Sequence, residues 1–258
     1  MSLFTSGGSL RARDMGGPHR AARPDRAERR KRHWWRWILA GAGLLAVLVV
    51  LAAGLFVKLQ TAPPPLALPT GRTGTPAGPV TGNWTVASGS EAGFRLRESA
   101  MGFSNDVVGR TDRVSGTMAI SGDRVTRATF HIVLTTVRVN GKAQPQFAPS
   151  LGTQRDPVAT FTLARPVTLG AAFIPGSPVT VTVTGQLAMH QISRPVTFTL
   201  SGRRDGPALQ AAGSIPVALA RWRIQEPPGF GFLGSLAPHG VAEFLLVLRH
   251  GAATGPNR

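Results

Sequence analysis

From Trp84 onward the chain alternates between apolar and polar positions. Val179, Val181, Val183 and Gly185 interleave with Thr180, Thr182 and Thr184, and Val196, Phe198 and Leu200 interleave with Thr197, Thr199 and Ser201. Ala159, Phe161 and Leu163 alternate with Thr160 and Thr162, and Ala128, Phe130, Ile132 and Leu134 make a further row. One apolar face and one threonine-rich face at period two mark antiparallel strands that cover a single core. Gly and Pro punctuate the rows at Ser121-Gly122-Asp123, Pro175-Gly176-Ser177 and Asp205-Gly206-Pro207. The pattern predicts strands near 84–86, 92–98, 106–110, 113–120, 126–139, 158–164, 179–189, 193–203, 208–217 and 241–249. No amphipathic helix of three turns interrupts them. The best helical candidate, Gly141–Leu151, is limited to a turn or two by Pro145 and Pro149. Short strands with regular turns predict an all-β barrel or sandwich.

Three of these stretches, 113–120, 126–139 and 241–249, carry apolar residues on both faces: Val133 and Val137 stand beside Ile132 and Leu134, and Leu245 and Val247 beside Phe244 and Leu246. Two apolar faces need two apolar environments. One is the barrel interior, and the other calls for a helix or loop packed outside. A barrel of about eight strands is either filled by its own side chains or holds one small ligand. Alternation alone does not separate the two.

The first 82 residues follow other rules. Residues 38–57, ILAGAGLLAVLVVLAAGLFV, contain no charge and no Pro. At about 1.5 Å per residue they span about 30 Å, the thickness of a bilayer's hydrocarbon core. They are preceded by Arg29, Arg30, Lys31, Arg32 and Arg36 and by Trp34, Trp35 and Trp37, whereas the far flank has Lys58 and then Arg72. Basic residues on one flank and Trp at the interface predict a single transmembrane helix with the N-terminus in the cytoplasm. The basic region before the apolar run and the run itself are both longer than in a cleaved signal peptide, so an uncleaved anchor is expected. Residues 1–37 read as a disordered basic tail that fixes topology. Residues 58–82 read as a Pro/Gly-rich linker, extended around Pro63–Pro65 and looser after Gly71. The expected barrel domain is 83–250, with a short tail at 251–258, and its expected place is outside the cytoplasm on a single-pass anchor.

Composition removes much chemistry. The chain has no Cys and no Tyr, and its only lysines are Lys31, Lys58 and Lys142. That excludes disulfides, thiolate metal sites and Cys or Tyr catalysis, and it disfavours Schiff-base and P-loop lysine chemistry. The net charge of +17 is split between +7 over residues 1–36, beside the apolar run, and +10 scattered singly over 37–258. That distribution fits a membrane surface and not a nucleic acid. His131, His190, His239 and His250 show no ligand spacing, so no metal site is expected. Neither Gly213-Ser214 nor Gly234-Ser235 sits in a nucleophile-elbow frame. The acids fall mostly in turns or beside Arg, so no catalytic residue and no cofactor is expected. Gly229-Phe230-Gly231-Phe232-Leu233-Gly234, with Trp222, forms an aromatic loop that either lids an apolar cavity or pins itself to the barrel.

Several strings, taken in order, resemble the YceI-like family. They are Asn83-Trp84-Thr85-Val86, Ala92-Gly93-Phe94-Arg95-Leu96-Arg97-Glu98, Val108-Gly109-Arg110-Thr111, and Val158-Ala159-Thr160-Phe161-Thr162-Leu163. Thr184-Gly185-Gln186-Leu187-Ala188-Met189-His190 follows with Arg194-Pro195-Val196-Thr197-Phe198, then Gly213-Ser214-Ile215-Pro216-Val217, Trp222 and His239-Gly240-Val241-Ala242-Glu243-Phe244. The resemblance covers about Asn83 to Arg249 and looks most like a membrane-anchored actinobacterial type. It implies a lipocalin-like antiparallel β-barrel that binds an isoprenoid, a quinone or another lipid, with room for a homo-oligomer. The segment Gly141–Gln154 lacks the arginines and acid usual in the family before the Ala-Thr-Phe strand, and Pro238 replaces an acid before His239-Gly240. Polar head-group contacts are therefore expected to differ, while the apolar rows are kept. The expected lining is Phe94, Phe130, Ile132, Phe161, Val181, Val183, Leu187, Phe198 and Phe244, with Trp222 and Phe230 near the mouth and His190, Arg194 and His239 as polar contacts.

Overall fold

A computed structural model describes residues 42–45, 47–49, 62–71, 74–100, 103–143, 148–174, 176–225 and 234–251. The chain divides into two compact units, 1–55 and 56–258. In the first, the described residues are helical, and Leu44, Leu45, Val47, Leu48 and Val49 are each more than half exposed. Among the described residues no helix is long and apolar enough to cross a membrane. Most of the predicted span 38–57, and all of the predicted tails, 1–37 and (after Gly251) 252–258, lie outside the described residues.

The second unit is all β. Its strands are β1 (Gly82–Val86), β2 (Glu91–Ala100), β3 (Phe103–Thr111), β4 (Val114–Ser121), β5 (Arg124–Val133), β6 (Arg138–Val139), β7 (Val158–Leu163), β8 (Val167–Thr168), β9 (Val179–Met189), β10 (Ile192–Asp205), β11 (Ala208–Ala218) and β12 (Gly234–His250). Every pairing is antiparallel. The order β1-β4-β5-β7-β9-β10-β11-β12 closes on itself because β1 also pairs with β12, which makes an eight-stranded barrel. β2 and β3 extend the wall from the other half of β12, and β6 joins their edge. Closure leaves the ring with no free sheet edge.

The sequence rows become strands with few shifts. The predicted strand 126–139 is broken at Leu134–Thr136 by a single 3-10 turn. There Thr136 Oγ1 donates to Val133 O at 2.8 Å and lies 2.6 Å from Thr111 Oγ1, so the side chain competes with the ladder. β12 starts earlier than the alternation suggests. Pro238 has no N–H to give, and the register with β2 shifts between Leu236 and Gly240, where a bulge absorbs it. The described part of 141–151 forms turns and no helix.

The floor of the barrel is packed solid. Trp84, Ile120, Val125, Phe173, Leu209 and Leu248 form one buried cluster, with Trp84 and Leu248 each 1% exposed. Trp84 Nε1 donates to Val80 O at 2.9 Å, so the indole is buried with its one donor satisfied. Residues 74–80 do not stand clear of the barrel as a free linker would. Val80 is buried, Ala77 N donates to Gly206 O, and Gly206 N donates to Gly74 O. Val80 joins the buried floor cluster beside Trp84 and Leu248.

Candidate functional site

Above the floor the barrel is hollow. A cavity of about 250 Å³ runs between the inner faces of the strands. On β12 its lining extends from Leu236, across the bulge before Gly240, to Leu248. The eight regular steps from Gly240 to Leu248, about 3.3 Å each on strands tilted by about 40°, account for about 20 Å of its depth along the barrel axis. It ends blind on the packed cluster of Ile120, Val125, Phe173, Leu209 and Leu248. The other end is the mouth, lined by Ser150, Leu151, His190, Gln225 and Leu236.

The hollow has a local cause. Large side chains on the inner face lie over glycines of the neighbouring strand instead of projecting into the lumen. Phe94 faces Gly109 across β2 and β3, Phe130 faces Gly116 across β5 and β4, Phe244 faces Gly213 across β12 and β11, and Leu96 faces Gly240 across β2 and β12. A Cβ on Gly109 would fall 2.3 Å from the Phe94 ring, on Gly116 2.8 Å from the Phe130 ring, and on Gly240 2.2 Å from Leu96. Gly185 does the same for Phe161 at 2.3 Å. Each glycine thus opens a recess in the wall that takes up one ring, and the volume the ring vacates becomes lumen. The rings also brace one another edge to face, with centroids 5.6 Å apart for Phe161 and Phe198 and 5.8 Å for Phe198 and Phe244.

The cavity lining brings together Phe94, Phe130, Ile132, Phe161, Val181, Val183, Leu187, Phe198 and Phe244, with His190 at the mouth. The other expected residues stand elsewhere. Trp222 is 1% exposed and packs beside Val217 and Leu219 in the wall cluster, so it does not line the lumen. The single 3-10 turn Leu219–Trp222, stopped by left-handed Arg223, tucks it there. Arg194 Nε donates to Arg221 O at 2.6 Å, which ties that turn to β10, and Arg194 is not in the lining. His239 is exposed on β12 and also lies outside the lining. Phe230 falls outside the described residues. Sequence reasoning missed the deep residues Ile120, Val125, Phe173 and Leu209, which decide where the lumen stops, and Leu151, whose loop carries no periodic signal.

The lumen presents almost wholly apolar surface along its length, with Ser150, His190 and Gln225 at its mouth and Gln210 and Glu243 also bordering it. His190 adopts φ 53° at the β9–β10 turn, and Gln191 N of the same turn donates to Asp156 Oδ2 at 2.8 Å. Glu98 lies on the same face of β2 as Phe94 and Leu96, one step mouthward, opposite Leu236. Burial raises its carboxyl above the usual carboxylate range. Glu243 is the most buried acid of the described barrel, but it belongs to the outer face. Its side chain is 2% exposed, with Oε1 2.9 Å from Arg110 Nη2 and Oε2 3.4 Å from Arg95 Nε. Among the described residues no cluster of His, Asp or Glu could hold a metal ion. Chemically, the site can hold a slender apolar molecule with one polar end at the mouth.

Residues 84–237, more than half of the chain, match the family model of the YceI-like domain. No curated protein matches the chain. The chain is similar to the following solved structures, the first of which shares its fold. A polyisoprenoid binding domain from Saccharophagus degradans, implicated in plant cell wall breakdown, is 17% identical and covers 65% of this chain and 98% of its own, with a TM-score of 0.50. BcnA from Burkholderia cenocepacia is 16% identical and covers 60% and 95%, with a TM-score of 0.47.

Proposed function

The chain belongs to the YceI-like domain family, and from that premise we propose that its barrel binds a long-chain isoprenoid or similar lipid, as a binding or carrier protein and not as an enzyme. The observation that carries the proposal is the blind apolar lumen, kept open by rings seated on cross-strand glycines. Burying about 400 Å² of alkyl surface at about 25 cal/mol per Å² gains about 10 kcal/mol. Association costs about 4–15 kcal/mol, so a tail of several prenyl units is the smallest ligand that such a wall holds well. The polar mouth leaves the head group to water. A packed barrel acting only as an envelope spacer would not need this lumen.

The second part of the proposal is location: a single-pass anchor at 38–57 with the barrel outside the cytoplasm. Its support is the uncharged run of twenty residues, the basic and Trp-rich flank, and the exposed apolar side chains at 44, 45 and 47–49. Five neighbouring positions on a helix point in all directions, so an apolar solvent around the helix accounts for them.

The test is to purify the chain in lipid nanodiscs, extract it with organic solvent and identify the released lipid by mass spectrometry. A prenyl lipid recovered near one per chain, and absent from Val181→Trp, is the expected result. Equal lipid recovery from both proteins refutes the cavity as the site.

A further inference from the structure

The outer face of β2, β3 and β12 carries a braced pair of guanidinium groups. Arg95 and Arg110 lie diagonally across β2 and β3, since Arg95 pairs with Val108 and Gly93 with Arg110. Gly93 also pairs with Glu243, so the rung from Arg110 to Glu243 has no side chain in its middle. Glu243 reaches both arginines, with Oε1 2.9 Å from Arg110 Nη2 and Oε2 3.4 Å from Arg95 Nε. Asp106 Oδ2 holds Arg95 Nη1 at 3.1 Å. Carboxylates thus fix one edge of each guanidinium and leave one N–H of each for another acceptor. Arg95 Nη2 donates to Pro63 O at 2.7 Å, and Arg110 Nη2 donates to Pro64 O.

The proline segment suits these donors for reasons of sequence. Pro fixes its own φ and pushes the residue before it into the extended region, so Pro63 and Pro64, each followed by Pro, are held extended. An extended polyproline stretch makes no internal hydrogen bonds, and its carbonyls are free acceptors. Pro64 and Pro65 are exposed, so the segment is held at the surface through its backbone and is not a piece of the core. Charge also selects a neutral acceptor. Arg95, Arg97 and Arg110 are ion-paired with Glu91, Asp106 and Glu243, three against three, which leaves the network no surplus charge for an anion. The exposed charge of Arg138, opposite Arg110 in the ladder, is screened by salt. A second clamp holds the chain independently. Arg204, 6% exposed, donates to Ala77 O at 3.0 Å and Gly78 O at 2.7 Å, and Gly74 N donates to Asp205 Oδ1 at 2.7 Å. Release of residues 62–66 would leave that clamp and the floor in place.

We propose that this outer face is a recognition site for a proline-rich segment of a partner protein, with residues 62–66 of the same chain as its resident, detachable occupant. The site reads backbone carbonyls on a stiff, extended segment, which is how polyproline ligands are bound at low entropic cost. Its donors are braced by side chains of the barrel and not by the strap, so it is preorganised for a second such segment. A tethered occupant acts at an effective concentration of about millimolar, and an incoming partner has to outcompete it. None of these contacts depends on what the lumen holds.

The chain has no cysteine, so a single label is unambiguous. Full-length Ala67→Cys, at an exposed position of the strap, is labelled with an environment-sensitive fluorophore and titrated in detergent micelles with a synthetic peptide copying residues 61–70. The expected result is a saturable spectral change as the peptide displaces the strap, with a response at least tenfold weaker to a peptide whose first three prolines are serine. Full-length Pro63→Ser/Pro64→Ser/Pro65→Ser, whose own strap no longer competes, is expected to bind the fluorescein-labelled proline peptide at least tenfold more tightly than the unchanged chain does. Adding Arg95→Ala, which leaves Arg110 to pair with Glu243, is expected to weaken that binding at least tenfold while the unfolding midpoint holds. Equal responses to the two peptides, no response to either, or binding that ignores Arg95 overturns the proposal. The labelled chain keeps its own strap and both arginines, so its titration decides the matter even if the triple substitution fails to fold.

Discussion

The two ends of this barrel are made of similar residues and behave oppositely. At the floor, Trp84, Phe173, Leu209 and Leu248 pack into one buried cluster on which the cavity ends. Higher up, Phe94, Phe130, Phe161 and Phe244 are as large, but each is laid back over a glycine. What differs is the cross-strand partner: floor rings meet other bulky side chains, whereas wall rings meet Gly109, Gly116, Gly185 and Gly213. Hollow and solid are therefore set by pairs of positions, not by the hydrophobicity of either one.

The largest effect that sharpens this contrast is at the floor. Trp84→Ala removes an interlocked ring that cannot be replaced by collapse, and it is expected to cost about 3–5 kcal/mol by denaturant unfolding. Ile132→Ala, on a side chain that already borders empty space, is expected at the low end of such truncations, about 2 kcal/mol. Equal losses would break the distinction between a packed and an unpacked half. Next is the recess itself. Gly185→Val pushes the Phe161 ring into the lumen, with an expected cost of about 1–3 kcal/mol from overpacking. Lipid affinity should fall at least tenfold in the same protein, and unchanged affinity would mean that the recesses do not shape the lumen. Smallest is the mouth. The folded chain binds a proton at Glu98 more tightly than the unfolded chain does, since burial raises that carboxyl. Stability should therefore decline as pH rises through and above the carboxylate range, and return on acidification. Glu98→Gln is expected to flatten that slope in urea titrations at several pH values, whereas a floor substitution should leave it as it is.

The strands were legible because alternation is a local property. Val179–Gly185 and Val196–Leu200 state their inner face without reference to any partner, and the nine expected aromatic and aliphatic residues do border one cavity. The recesses were not legible, because a glycine inside a strand reads only as a weak position until the register puts Phe94 opposite Gly109 or Phe244 opposite Gly213. Trp222 was misplaced for a similar reason: its direction is set by the 3-10 turn at Leu219–Trp222, which no periodicity announces. Pro63–Pro65 has the same composition whether free or clamped. The signal lay elsewhere, in Arg95 and Arg110 on the outer face of β2 and β3 near Glu243, the one acid of β12.

The most direct test of the central claim is a titration of the barrel, residues 62–258, with all-trans geranylgeraniol, followed by calorimetry at several temperatures. Saturation at one ligand per chain with a negative heat-capacity change, lost in Val181→Trp while the unfolding midpoint holds, is the outcome that a hollow built to take a tail requires. Binding that persists when the tryptophan fills the lumen, or no saturable binding at all, would contradict it.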